Sequence, residues 1–171
     1  SVLFPAKIML LAAMNPCPCG NYNDPIKECK CTTQAIINYQ KKISGPLLDR
    51  IDLSLEVPPV KFEKLIDETP GETSLSIRHR VLEARQIQEK RFSDEKILTN
   101  SEMNLEKIKK YCEVNQPTSQ LIARAVNKFG LSARAYHRLL RVSRTIADLD
   151  KKPSIELEHV AEALQYRLQE L

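Results

Sequence analysis

Gly130-Leu131-Ser132-Ala133-Arg134-Ala135-Tyr136-His137-Arg138-Leu139-Leu140-Arg141-Val142-Ser143-Arg144-Thr145-Ile146-Ala147-Asp148-Leu149 decides how the second half of this chain folds. Gly130 suits the position just past the end of one helix, where the left-handed backbone favours glycine. Ser132 suits the N-cap of the next, worth about 1 kcal/mol. At about 100° per residue, Ala135, Leu139, Leu140, Val142 and Ile146 fall on one side, and Arg134, Arg138, Arg141 and Arg144 on the opposite side. The spacing predicts a helix over 132–149 with an apolar and a basic face.

Outward from that helix, the same 3.6-residue period recurs. Helices are expected near 74–91, 104–114 and 118–129 on one side and 154–170 on the other. The last has Glu156 and Glu158 in its first turns, where the helix dipole favours acids, and Val160, Ala161, Leu164 and Leu168 as its core stripe. Residues 74–171 therefore read as an all-helical domain. Residues 58–73, with three prolines, a glycine and many charges, read as a linker. Upstream the pattern changes. Ile51, Leu53, Leu55 and Val57 alternate with Asp52, Ser54 and Glu56, the period of a strand ending at Pro58-Pro59. A short helix is expected from about Thr33 to Ile43, stopped by Gly45-Pro46. Ile8 to Met14 is an unbroken apolar run, as in a strand buried on both faces of a parallel sheet. Such a strand needs neighbours, and here it must pair with 51–57 or with another chain. The expected fold is an α/β remnant over 1–57 with a Cys-rich insert, then the helical domain, mainly α overall.

At 171 residues, roughly two-thirds of the unfolded surface can be buried, so a core forms without staples. The hydrophobic share of 42% and charged share of 28% describe a globular chain, and no apolar run approaches the ~20 residues of a membrane span. The four glycines, Gly20, Gly45, Gly71 and Gly130, stand too far apart for a phosphate-cradling G-x-x-x-x-G-K-[ST] loop or a G-x-G-x-x-G loop in these residues. The first residue is Ser1 rather than Met, so a fragment or processed product is expected. Lys7 and the apolar run after it make a poor signal peptide.

The formal charge of +4 hides a local imbalance. Between Glu113 and Asp148 there is no acid, while Arg124, Lys128, Arg134, Arg138, Arg141 and Arg144 all lie there, so an anionic partner is expected. Four of the five cysteines form Cys17-x-Cys19 and Cys29-x-Cys31, an arrangement that can supply a closed tetrahedral Cys₄ site for structural Zn²⁺ or be free thiols. Cys112, in a helical pattern, reads as a small core residue.

Three stretches together resemble a known family: Ala12-Ala13-Met14-Asn15-Pro16-Cys17-Pro18-Cys19-Gly20; Ser44-Gly45-Pro46-Leu47-Leu48-Asp49-Arg50-Ile51-Asp52; and Leu131-Ser132-Ala133-Arg134 with Arg141-Val142-Ser143-Arg144-Thr145-Ile146-Ala147-Asp148-Leu149. They are similar to the magnesium-chelatase-like AAA+ ATPases, and more narrowly to the bacterial branch of competence-type hexameric helicases linked to DNA uptake and branch migration. The resemblance spans essentially the whole chain and implies that the phosphate loop and the Mg²⁺-binding acidic strand belong to an upstream two-thirds. It also implies a cytoplasmic ring of identical subunits, using ATP and Mg²⁺ and acting on DNA.

Each motif has a physical reading beside that resemblance. Asn15 stands at the carboxyl end of the expected strand, where an amide can orient water against a terminal phosphate, or it simply starts an Asn-Pro turn. The resemblance gives it the sensor-1 role. Arg50 either pairs with Asp49 or Asp52, or is the arginine finger that the resemblance implies, reaching the neighbouring subunit's nucleotide. Arg134, at the positive end of a helix, suits an anion, and the resemblance makes it the sensor-2 arginine. Arg138, Arg141 and Arg144 form either a solvated face or a row of DNA phosphate contacts.

The leading expectation is the C-terminal part of such an ATPase, itself unable to hydrolyse ATP. Its alternatives are the ATPase subunit of a true magnesium chelatase, a zinc-stabilised nucleic-acid-binding module without catalysis, and a protein-interaction domain. Leu65-Ile66-Asp67-Glu68 imitates an acidic Mg²⁺-binding strand but is followed by Thr69-Pro70 and lies downstream of Arg50, against the family's order. His79, His137 and His159 fit no catalytic constellation.

Overall fold

The computed structural model describes Val2, residues 8–60, Ile66 and residues 69–166. Leu65, Asp67 and Glu68 of the acidic decoy, Leu168 and the end of the expected last helix lie outside the described residues. The chain divides into two compact units, 1–45 and 46–171. Residues 46–57, expected with the α/β core, group with the second unit.

In the first unit, α1 runs Thr33–Gln40 and is capped by Thr32, whose hydroxyl accepts the Ala35 amide at 3.2 Å. The segment before the Cys-rich loop is not a strand. Ile8, Met9 and Leu11 are 80%, 94% and 91% exposed. Residues 51–57 are likewise without strand structure, and among the described residues the only β-bridge joins Val114 to Ile155. The expected parallel strands are therefore not formed here. A strand exists through the hydrogen bonds of its neighbours, and apolar patterning alone supplies none.

The second unit is helical. After the short α2, Gly45–Leu48, which begins at the division, come α3 (Ser74–Arg91), a 3₁₀ turn (Asn100–Glu102), α4 (Leu105–Tyr111), α5 (Gln116–Phe129), α6 (Ala133–Leu149) and α7 (Leu157–Gln165). Local chemistry sets their ends. Side chains of Thr73, Asn104, Asn115 and Ser132 accept amides of the first turns of α3, α4, α5 and α6. Gly130 ends α5 at φ +57°, with the Leu131 amide returning to the Val126 carbonyl at 3.1 Å.

α6 is the central helix, packed against α3, α4, α7 and the 3₁₀ turn. Leu139, Leu140 and Ile146 join Phe92, Met103, Ile108, Cys112, Ile122, Ile155, Val160 and Ala163 in one core. Each large apolar member contributes about 1.5–3 kcal/mol by leaving water. Phe92 meets Tyr111 edge-on at 5.4 Å. Cys112 is buried as expected, and burial pushes its thiol up to about 11, which keeps it protonated.

Candidate functional site

In the first unit, a chain of turns builds the Cys-rich loop. The Gly20 amide returns to the Cys17 carbonyl at 3.0 Å, and Asp24 Oδ1 accepts the amides of Ile26 and Lys27 at 2.7 and 3.1 Å. Gly20 at φ +83° and Asn23 at φ +62° supply the left-handed corners. α1 then returns to the loop, with Gln40 Nε2 donating to the Pro16 carbonyl at 3.2 Å.

These turns bring four sulfurs together. Cys17 Sγ lies 3.4 Å from Cys19 Sγ and 3.7 Å from Cys29 Sγ, Cys19 and Cys29 are 3.6 Å apart, and with Cys31 all four lie within 4.8 Å. None is in a disulfide. A tetrahedral ion with metal–sulfur bonds of about 2.3 Å has edges of about 3.8 Å, so the set fits a tetrahedral metal. The amides of Asn21 and Lys30 pull the Cys19 thiol down to about 6. Cys31 goes the other way, up to about 12; the Cys19 amide favours its charge, but burial and the neighbouring thiols outweigh it. Cys19 thus forms a thiolate readily, whereas Cys29 and Cys31 resist ionisation unless a cation balances the charge.

Asn15 is exposed two residues before this cluster. A Cβ on Gly20 would lie 3.8 Å from both Cγ and Nδ2 of Asn15, so the knuckle glycine rests against the amide.

In the second unit, Arg134 is exposed at the second residue of α6, in the turn capped by Ser132. Arg50 is also exposed. Its amide returns to the Leu47 carbonyl at 2.8 Å and its Nη1 donates to the Pro46 carbonyl at 2.5 Å, rather than pairing with Asp49 or Asp52.

The basic face of α6 requires a correction. Arg144 is only 2% exposed: its Nε donates to Asp148 Oδ1 at 3.1 Å, and Nη1 and Nη2 donate to the carbonyls of Pro153 and Lys152 at 2.8 and 2.6 Å. Arg138 is 7% exposed, with Nη1 on the Asp49 carbonyl at 2.5 Å. Arg141, half-buried, donates to the Ser101 carbonyl at 2.9 Å. Arg138 and Arg144 therefore serve the fold from inside it, and the row of outward phosphate contacts is not built. Arg144 lies only about 40° round the helix from Leu140, and a helix packed on several sides buries more than one stripe.

The residues that sequence reasoning missed are those that receive these arginines. Asp148, fully buried, accepts from Arg91, Arg144 and Asn100, and Gln88 Oε1 accepts the Asn100 amide at 3.2 Å. The Arg144–Asp148 spacing of four was the visible signal. His159, 1% exposed, accepts the Glu156 amide at Nδ1, 2.9 Å away, and turns Nε2 to Asp150 Oδ2 at 3.3 Å. The ligand atoms of Asp150, Glu158 and His159 lie within 4.8 Å of one another, with Asp150 and Glu158 exposed. Among the described residues, no helix is long and apolar enough to cross a membrane.

With this geometry in place, comparison with known proteins gives a consistent answer. The family described as "Magnesium chelatase, subunit ChlI C-terminal" matches residues 71–167, and "Magnesium chelatase, subunit ChlI" matches residues 1–65. The competence protein ComM of Haemophilus influenzae is 44% identical over 167 residues, 97% of this chain and 32% of its own length. The YifB protein of Escherichia coli is 38% identical over 169 residues, again 97% and 32%. The protein Rv2897c of Mycobacterium tuberculosis is 32% identical over 164 residues, 96% of this chain and 32% of its own. The chain thus spans about a third of the length of the curated relatives it matches. It belongs to the magnesium-chelatase-like family, in the branch that holds ComM and YifB.

Proposed function

We propose that these residues are the C-terminal part of an AAA+ ATPase that forms a cytoplasmic ring, a hexamer, and moves DNA. Residues 1–57 complete its nucleotide-binding core and 74–171 form its helical lid. The observation that carries the reading is the match of 97% of the chain, in order and at 44% identity, to ComM. The exposure of Asn15, Arg50 and Arg134 supports it, since each must reach a ligand that this chain alone does not enclose.

ATP bound with Mg²⁺ supplies the phosphoryl group, and the rest of the full-length protein supplies the loop that holds it. In the proposed mechanism Asn15 orients the attacking water through its amide. Arg50 places its guanidinium beside the γ-phosphate of the adjacent subunit, where negative charge builds in the transition state. Arg134 binds the nucleotide from the lid, at a helix end that already favours anions. Cys17, Cys19, Cys29 and Cys31 hold structural Zn²⁺, which fixes a loop with little core of its own.

The test is ATP turnover by the full-length protein with and without DNA, with stimulation by DNA expected. A second reading, the ATPase subunit of a true magnesium chelatase, has the name of the matching family in its favour. Indifference to DNA with stimulation by a porphyrin-binding partner would replace the first reading by the second. The 171-residue chain alone should show no turnover, since it carries no phosphate-cradling loop.

A further inference from the structure

We infer that Arg138 is a positioning residue for Arg50, and that it links the nucleotide-sensing end of α6 to the loop whose arginine acts on the neighbouring subunit. The inference rests on the proposed roles of Arg50 and Arg134.

Arg138 follows Arg134 by one helical turn on α6, about 40° round the axis. Arg134 stays exposed, whereas Arg138 turns inward to 7% exposure and puts Nη1 on the carbonyl of Asp49, 89 positions away in sequence. That carbonyl belongs to the peptide bond joining Asp49 to Arg50. A guanidinium on a carbonyl is a charge-assisted hydrogen bond, and Arg138 makes this one while nearly shielded from water.

Among the described residues, few other hydrogen bonds hold the segment around Arg50. Residues 51–57 form no strand, and Leu53, Leu55 and Val57 are exposed. The loop is closed on itself by Arg50 N to the Leu47 carbonyl and Ile51 N to the Leu48 carbonyl. It is tied to the helical unit by Arg138 and by the Ser54 amide, which donates to the Tyr166 carbonyl at 2.7 Å at the end of α7. A movement of α6 that carries Arg134 toward or away from nucleotide therefore carries the Asp49 carbonyl, and Arg50 with it. Occupancy of one site in the ring then sets the reach of the arginine that serves the next site.

The test is a double-mutant cycle in the full-length protein, reading kcat, KM for ATP and ring mass by light scattering. Arg138→Met removes the donor and keeps the apolar stem. It should lower kcat at least about tenfold, as small misplacements of a reacting group do, with KM and ring mass unchanged. Arg138→Lys, which keeps one donor, should recover most of the loss. In an Arg50→Ala background Arg138→Met should cause no further loss, because both act through one group. Additive losses, an unchanged kcat in Arg138→Met, or a KM that rises as kcat falls would overturn the inference. If Arg138→Met rings do not assemble, Arg138→Gln, whose shorter amide cannot reach the Asp49 carbonyl, is carried through the same cycle and judged by the same additivity. Full turnover by Arg50→Ala would overturn the reading of Arg50 itself and this inference with it, a result separable from additive losses.

Discussion

Arg91, at the end of α3, grips Asp148, at the end of α6, with both ends of its guanidinium, Nη1 reaching Oδ2 at 2.7 Å and Nη2 meeting Oδ1. Asp148 is fully buried, and Arg144 Nε and Asn100 Nδ2 donate to the same carboxylate at 3.1 and 2.8 Å. Two guanidinium groups thus depend on one acid inside the helical unit.

Removing that acid is predicted to be costly. Asp148→Ala leaves two cations without their counter-charge and should destabilise the helical unit by about 3–5 kcal/mol, the range for breaking a buried ion pair. Urea unfolding followed by helical circular dichroism measures it. A loss under about 1 kcal/mol would mean that water or another acid replaces Asp148.

Gly130 offers a smaller, cleaner effect. Its φ of +57° lies in the left-handed region and nothing stands within 4 Å of an added Cβ, so substitution strains the backbone and no neighbour. Gly130→Ala should cost about 1 kcal/mol and Gly130→Asn less, because asparagine tolerates that conformation. The same unfolding experiment ranks the two.

For the cysteine knuckle, elemental analysis should find about one zinc per chain. Cys17→Ser should abolish its retention, while Cys112→Ser, altering a thiol buried in the helical core, should leave it unchanged. The sign of the pH effect follows from the ligands. Thiolates bind metal and thiols do not, so zinc is held at neutral pH and released as acid protonates the sulfurs. A chelator dye reads the release, and zinc retention by Cys17→Ser would sink the assignment.

How much of this was legible follows from how local each interaction is. Ser132 and Gly130 could be read as caps because their hydrogen bonds close within a few residues. The Cys17, Cys19, Cys29 and Cys31 set was readable from spacing, since a short loop returns two pairs to one place. The inward turn of Arg138 was not, because the Asp49 carbonyl that accepts it lies 89 positions away, and carbonyls leave no mark in composition; Arg144 showed only its Asp148 partner four residues on, and not the carbonyls of Pro153 and Lys152. The apolar run at 8–14 and the alternation at 51–57 mark chain suited to a sheet, but such a pattern becomes a strand only beside partners.

The central claim is that Arg50 serves the ATP site of the adjacent subunit. Its most direct measurement is single-site substitution in the full-length ring, with ATP turnover and ATP affinity measured together. Arg50→Ala is predicted to lower kcat by about 10³-fold or more, the scale of an arginine finger, while the Kd for ATP and the ring mass stay within a few-fold of the parent. Turnover within a few-fold of the parent, or an equal loss of binding and turnover, would contradict the account.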